Sequence, residues 1–281
     1  VEAVLVGYCL LGGGKRVIKA TSTLVPLMGV IYISVAFILT IMHINLVPGV
    51  VGRIFAEAFD FTAIFGGFAG SCMMFGIKRG LYSNEAGVGS APNAAAAADV
   101  SHPVKQGLVQ MLSVFIDTLL ICTATAFMCL SSGIEPTKEL AGAPYVQAAL
   151  AASMGDYAKL FITVSMVLFA FTTLLGNLYY VDNAFAYVLK HVPGKTFTLC
   201  YRILACVLIF IGAGSSMGTM WDLADVTMGC MAIINLPVIC ILGGPALRAL
   251  DDYTEQRDAG KNPEFKASKI GLTQKLDYWQ D

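Results

Sequence analysis

The sequence predicts an all-α polytopic membrane protein, and three observations predict it. Its 281 residues are 57% hydrophobic and only 13% charged, about half the charge of an ordinary soluble domain. The apolar residues come in runs, such as 24–44 and 108–130, that are long enough to cross a hydrocarbon core of ~30 Å, which takes about 20 helical residues. The two-residue alternation of a membrane β-barrel is absent from these runs.

Apolar runs and turn signals place the elements in order. A remnant of one run occupies 1–12, and the chain opens inside it without an initiator Met or a signal-peptide pattern. The expectation is a chain whose N-terminal part is missing. Full spans are predicted at 22–44, 61–81, 106–131, 157–189, 198–217 and 223–247. The stretch 49–60 is too short and too polar to cross, and reads as a helix lying outside against the bundle. The loop at 132–156 sets Lys138 against Glu135 and Glu139. Residues 157–189 exceed one straight span, so either a break near 175–177 or an extension into the cytoplasm takes up the excess. Residues 1–247 form the membrane part. The polar tail 248–281 carries no trusted motif, with a short helix at 250–258 as an option.

Basic residues alternate between the connections. Lys15, Arg16 and Lys19 lie in one loop, and the next has Arg53 alone. Lys105 returns to the first side, as do Lys190, Lys195, Arg202, Arg248, Arg257 and Lys261. The basic side is cytoplasmic by the positive-inside rule, which puts the C-terminus there.

Composition also excludes. The net charge is −1 and no basic tract suggests nucleic acid. The eight cysteines sit in or beside apolar runs with no CxxC pair, so they read as packing residues rather than disulfides or zinc ligands. His43, His102 and His191 stand at span ends, where a solvated role is the default. No GxSxG, HExxH or Walker A motif is present, so hydrolysis and ATP-driven transport are not encoded.

The most informative stretch is 76–99, GIKRGLYSNEAGVGSAPNAAAAAD. Small, polar, irregular backbone at membrane depth is tolerated only when buried in protein or lining a cavity, and in secondary transporters such breaks point to the binding site. If one helix runs from about 61 to 81 and another from 91 to 100, the residues between are unwound. Free N–H groups there favour a substrate carboxylate and free carbonyls a cation. Ser83 and Asn84 can add side-chain ligands, and Tyr82 an aromatic wall. Glu85 needs a partner at that depth; Arg79 or Lys78 is the natural one. The competing reading is a plain cytoplasmic loop, against which stands the small, apolar, helix-forming run 91–98.

Weaker signals lie elsewhere. Gly66, Gly67, Phe68, Ala69, Gly70 and Ser71 read as a close helix–helix contact or a second break. Asp117 is an intramembrane carboxylate beside Thr118, suited to a sodium ion, a proton relay or a structural pair. Thr172 and Thr173 offer adjacent hydroxyls, either to an ion or back to their own helix. Trp221, with Asp222 and Asp225, reads as an interfacial anchor or an outer gate.

The block 76–99, with HPVKQGLVQ, FIDTLLICTATAF, FAFTTLLGNLYY and the tail DDYTEQRDAGKNPEF, closely resembles the alanine or glycine:cation symporter family over essentially the whole chain. Tyr82 stands where that family usually has Phe. The resemblance implies a leucine-transporter-type inverted-repeat fold, of which this chain holds the C-terminal part: the end of the fourth core helix, then the fifth to tenth. It implies sodium-coupled symport of small neutral amino acids in a bacterial inner membrane, with a cytoplasmic tail. It implies a broken sixth core helix, at 82–87 or at 66–70, the former favoured. By position, Thr172, Thr173 and Asp117 would hold sodium; Tyr82, Ser83, Asn84, Gly87 and Asn177 would bind substrate; Arg79 and Glu85 would pair. The first core helix, half of both sites in such folds, would be absent here. The alternatives are proton coupling through Asp117 and a non-transporting sensor or degenerate fragment.

Overall fold

A computed structural model of the chain describes residues 14–62, 72–135, 137, 140, 142–272, 276 and 279. Among these every regular element is helical. Helix α1 is Gly14–Met42, α2 Val47–Ala58, α3 Cys72–Asn84 and α4 Ala91–Ala95. Helix α5, Pro103–Phe115, passes through a π-helical stretch, Ile116–Cys122, into α6, Thr123–Leu130. Then come α7, Ala143–Met154, α8, Tyr157–Leu189, α9, Lys195–Ala213, and α10, Met217–Asp258. Five stretches are long and apolar enough to cross a membrane: Ser22–Met42, Pro103–Leu130, Tyr157–Leu189, Lys195–Ala213 and Met217–Asp258. The chain is a polytopic helical membrane protein.

It divides into two compact units, one of Val1–Gly80 and Asp117–Met217, the other of Leu81–Ile116 and Gly218–Asp281. In the first unit α8 packs against α1 and α7, and α6 against the same two helices. Tyr32, Ala36 and Leu39 of α1 recur at helical spacing and meet Met128, Leu150, Ala158 and Ile162. Ala36 and Ala158 are fully buried, because small side chains let helix axes approach closely where lipid gives no hydrophobic push. A second cluster joins Phe171, Leu175 and Leu178 of α8 to Leu24 and to Ala205, Cys206 and Ile209 of α9. Arg202 donates to Asp182 at 2.9 Å.

In the second unit the tail folds back on the start of α5 and the C-terminal end of α10. Phe265, Ala267 and Ile270 pack with Ala249, Val104 and Trp279. The Phe265 N–H donates to the Ser101 carbonyl at 3.0 Å. The Ser101 hydroxyl donates to the Pro263 carbonyl at 2.9 Å and Lys105 to Asn262 at 2.6 Å.

Several expectations need correction. His102, expected to be solvated at a span end, is fully buried; the folded tail covers it. Residues 157–189 form one unbroken helix of 33 residues, about 50 Å long at 1.5 Å per residue, so length beyond the bilayer absorbs the excess. Residues 250–258 are no separate helix but the end of α10, which runs through 248. The loop at 132–156 contains α7, whose Ala149 and Leu150 are buried. The 66–71 segment and the remnant at 1–12 lie outside the described residues, as does part of the span at 61–81.

Candidate functional site

The candidate site is built on the interruption between α3 and α4. Helix α3 stops at Asn84 because three of the next five residues adopt left-handed backbone. Glu85 has φ +50°, Gly87 +84° and Gly89 +109°, conformations that end a right-handed helix and that glycine adopts without a Cβ penalty. The Val88 N–H closes a turn on the Glu85 carbonyl at 3.2 Å. The Ser90 hydroxyl donates to the Glu85 carboxylate at 2.5 Å, so the turn itself meets part of that charge. Pro92 then opens α4, where its missing N–H costs nothing. The Gln110 side-chain amide of α5 donates to the Ala91 carbonyl at 3.1 Å. The unwound stretch is thus 85–90, which overlaps the expected 82–87 but starts past the expected helix end at 81, and α4 stops at Ala95, short of the expected 100.

Helix α10 backs this turn. Trp221 meets the ring of Tyr82 edge-on, with centroids 5.1 Å apart. The Asn235 side-chain amide donates to the Gly87 carbonyl at 3.0 Å. A Cβ built on Gly89 would lie 3.1 Å from Asn235 Cγ, and one on Gly87 3.3 Å from Leu236 Cδ2. The glycines therefore serve both the left-handed backbone and the close approach of a helix. Sequence reasoning missed Asn235, which stands as a lone amide in the apolar stretch 226–247 of that helix.

Tyr82, Ser83, Asn84, Glu85 and Gly87 all belong to this unit. Arg79 lies on α3, six residues before Glu85. Asp117, Thr172, Thr173 and Asn177 belong to the other unit. There, Thr172 is 7% exposed and its hydroxyl is shared between the Leu168 and Phe169 carbonyls at 3.0 and 3.1 Å. Its one proton is spent on its own helix, and only lone pairs remain to face outward. Thr173 and Asn177 are exposed within the unit and, four residues apart, share a face of α8. A polar face in the middle of an apolar 33-residue helix suits a cavity better than lipid.

Asp117 is the second residue of the π-helical stretch Ile116–Cys122. The widened turn is visible in the Thr123 hydroxyl, which donates to the Thr118 carbonyl five residues back at 3.1 Å. Cys122 Sγ lies 4.0 Å from Asp117 Oδ2. Single π-turns inside α-helices concentrate at functional sites.

A family model described as the sodium:alanine symporter family matches residues 1–267. The chain is 42% identical over 281 residues to amino-acid carrier protein AlsT of Bacillus subtilis, covering 100% of this chain and 59% of that protein. It is 41% identical over 273 residues to the probable sodium/glutamine symporter GlnT of the same organism, 97% of this chain and 56% of that one. To the sodium/proton-dependent alanine carrier protein of Bacillus sp. strain PS3 it is 39% identical over 295 residues, 100% of this chain and 66% of that one. The chain spans less than two thirds of the length of these relatives.

Proposed function

This chain belongs to the sodium:alanine symporter family, carriers rather than enzymes, and on that premise we propose that the protein imports a small neutral amino acid with sodium. Alanine or glycine is the first candidate, and the mechanism is alternating access in a bacterial plasma membrane. The observation that carries this reading is the unwound 85–90 turn between two helices. It offers backbone N–H groups near 84–87 to a carboxylate, with Tyr82, Ser83 and Asn84 beside it. Sodium is assigned to the lone pairs of Thr172 and Thr173, with Asp117 near a further cation and Asn177 facing the amino acid. Arg79 neutralises Glu85. A leucine-transporter-type fold, a core over 1–247 and a cytoplasmic tail from 248 complete the proposal. Coupling is reciprocal, so alanine raises sodium affinity as sodium raises alanine affinity.

The test is alanine uptake by proteoliposomes holding the full-length protein, with and without an inward sodium gradient. Accumulation only with the gradient is expected. The names of two relatives mark where else the reading can turn, one toward glutamine and one toward protons. Uptake driven by a proton gradient and indifferent to sodium moves the coupling ion to Asp117, whose place in a π-turn favours that second reading. Uptake under neither gradient overturns both.

A further inference from the structure

Asn235 is the one side-chain amide in the apolar stretch 226–247 of α10. Its neighbours Ile233 and Ile234 are exposed, as lipid-facing residues are. An amide at that depth is costly unless satisfied. Asn235 spends a donor on a partner 148 residues away in sequence, the Gly87 carbonyl at 3.0 Å. That carbonyl belongs to the unwound turn, where no helical N–H is available to it.

The contact fixes more than one atom. The Gly87 carbonyl and the Val88 N–H belong to one rigid peptide plane. Asn235 holds the carbonyl end of this plane, and the Glu85 carbonyl holds its N–H end at 3.2 Å. With both ends held, rotation of this plane is restrained, and with it the course of the backbone on either side. The side chain also lies against Gly89, where a Cβ would come within 3.1 Å of Asn235 Cγ. Pro237, two residues on, lacks the N–H that would bond the Ile233 carbonyl, which loosens α10 at this level. Fourteen residues earlier on the same helix, about 21 Å along its axis, Trp221 supports Tyr82.

We propose that Asn235 is a positioning residue for the transported amino acid: it holds the Gly87 carbonyl so that the 85–90 turn presents its N–H groups to the substrate carboxylate. The inference rests on the symport reading and names a specific residue on which that reading depends. Asn235 acts through the turn and need not touch the substrate.

The experiment is sodium-driven alanine uptake by the full-length protein, with Vmax normalised to protein in the vesicles. Asn235→Leu keeps the branched shape and removes the donor, and is expected to raise KM about five- to tenfold with Vmax within about twofold. Asn235→Gln keeps the donor and is expected to stay close to the parent KM. Asn235→Ser, polar but too short to reach, repeats the Leu result should the Leu variant fail to accumulate. An unchanged KM in the Leu and Ser variants overturns the inference. So does an equal loss of Vmax in all three variants at constant KM, which is a purely structural effect. If the parent protein shows no uptake under either ion gradient, the transport reading itself falls and takes this inference with it.

Discussion

The imidazole of His102 and the carboxylate of Asp252 face each other at 3.4 Å, with His102 fully buried. The Val104 N–H donates to His102 Nδ1 at 3.2 Å, so Nδ1 carries a lone pair and the proton sits on Nε2, toward Asp252. The ring caps α5 only while neutral, since protonation would set Nδ1–H against Val104 N–H. Gln256 and Lys269 also donate to Asp252, at 2.8 and 2.5 Å. The rings of Tyr253 and Phe265 close the site at 5.2 Å each. Burial pushes the His102 pKa below its ordinary value, with Lys105 and Lys269 acting the same way and Asp252 only partly offsetting them.

The sign of the pH dependence follows. The unfolded chain binds this proton at about pH 6.5 and the folded chain at a lower pH. The stability is present above about pH 6.5 and lost as pH falls toward the depressed folded value, on the order of 1 kcal/mol per pH unit. Thermal unfolding in detergent is expected to drop by a few degrees between pH 7.5 and pH 5.5. His102→Asn keeps a cap acceptor and a donor without titrating, and is expected to remove that slope. Equal slopes in both proteins would refute the assignment.

Tyr32 and Thr125 tie α1 to α6 at 2.9 Å. The Thr125 hydroxyl already donates to the Ile121 carbonyl at 2.9 Å, so Tyr32 is the donor between them. Tyr32→Phe removes one bond and is expected to cost about 1 kcal/mol or less. Thr125→Val leaves the buried Tyr32 hydroxyl without its acceptor and is expected to cost more, about 1–3 kcal/mol. Adding Tyr32→Phe to Thr125→Val should then cost little or restore stability, which a melting-temperature cycle reads directly.

Gly89 tolerates no side chain on two grounds. Its φ of +109° is outside the range of other residues, and Asn235 occupies the space a Cβ would need. Gly89→Ala is expected to abolish sodium-driven uptake and to lower the melting temperature. Gly80→Ala, in a helix and with open space around it, is the control and should leave uptake unchanged and the melting temperature no lower. Normal uptake by the Gly89 variant would refute the close packing of α10 on the turn.

These cases show which features the chain announces. The long apolar runs mark the spans because hydrophobicity and length are local properties, and the turn at 85–90 is marked by Gly87, Gly89 and Pro92, whose backbone preferences are equally local. Asn235 was silent because its partner lies 148 residues away. His102 read as a solvated span end because nothing in its own neighbourhood foretells a tail folding over it. Helix α7 hid in a loop because its alanines and small residues form a weak apolar signal, yet they pack closely on α6 and α8. The substrate and ion residues remain expectations of the family resemblance, since chemistry at such sites depends on what is brought near and not on pattern alone.

The two threonines on α8 separate the coupling ion from the helix's own bonding. Thr172 spends its proton on the Leu168 and Phe169 carbonyls, so Thr172→Val removes only weak back-bonds and one outward lone-pair donor. Thr173 is exposed within its unit on the face that carries Asn177. If both oxygens hold sodium, Thr172→Val and Thr173→Val are each expected to raise the sodium concentration for half-maximal uptake about tenfold or more, with alanine KM at saturating sodium changed far less. Asp117→Asn should then leave uptake driven by sodium and insensitive to an imposed proton gradient. The opposite pattern, with both threonine variants indifferent to sodium and uptake lost only in Asp117→Asn, would place the coupling ion in the π-turn. Titrating sodium at fixed alanine, then alanine at saturating sodium, distinguishes the two because only an ion ligand shifts the first curve while sparing the second.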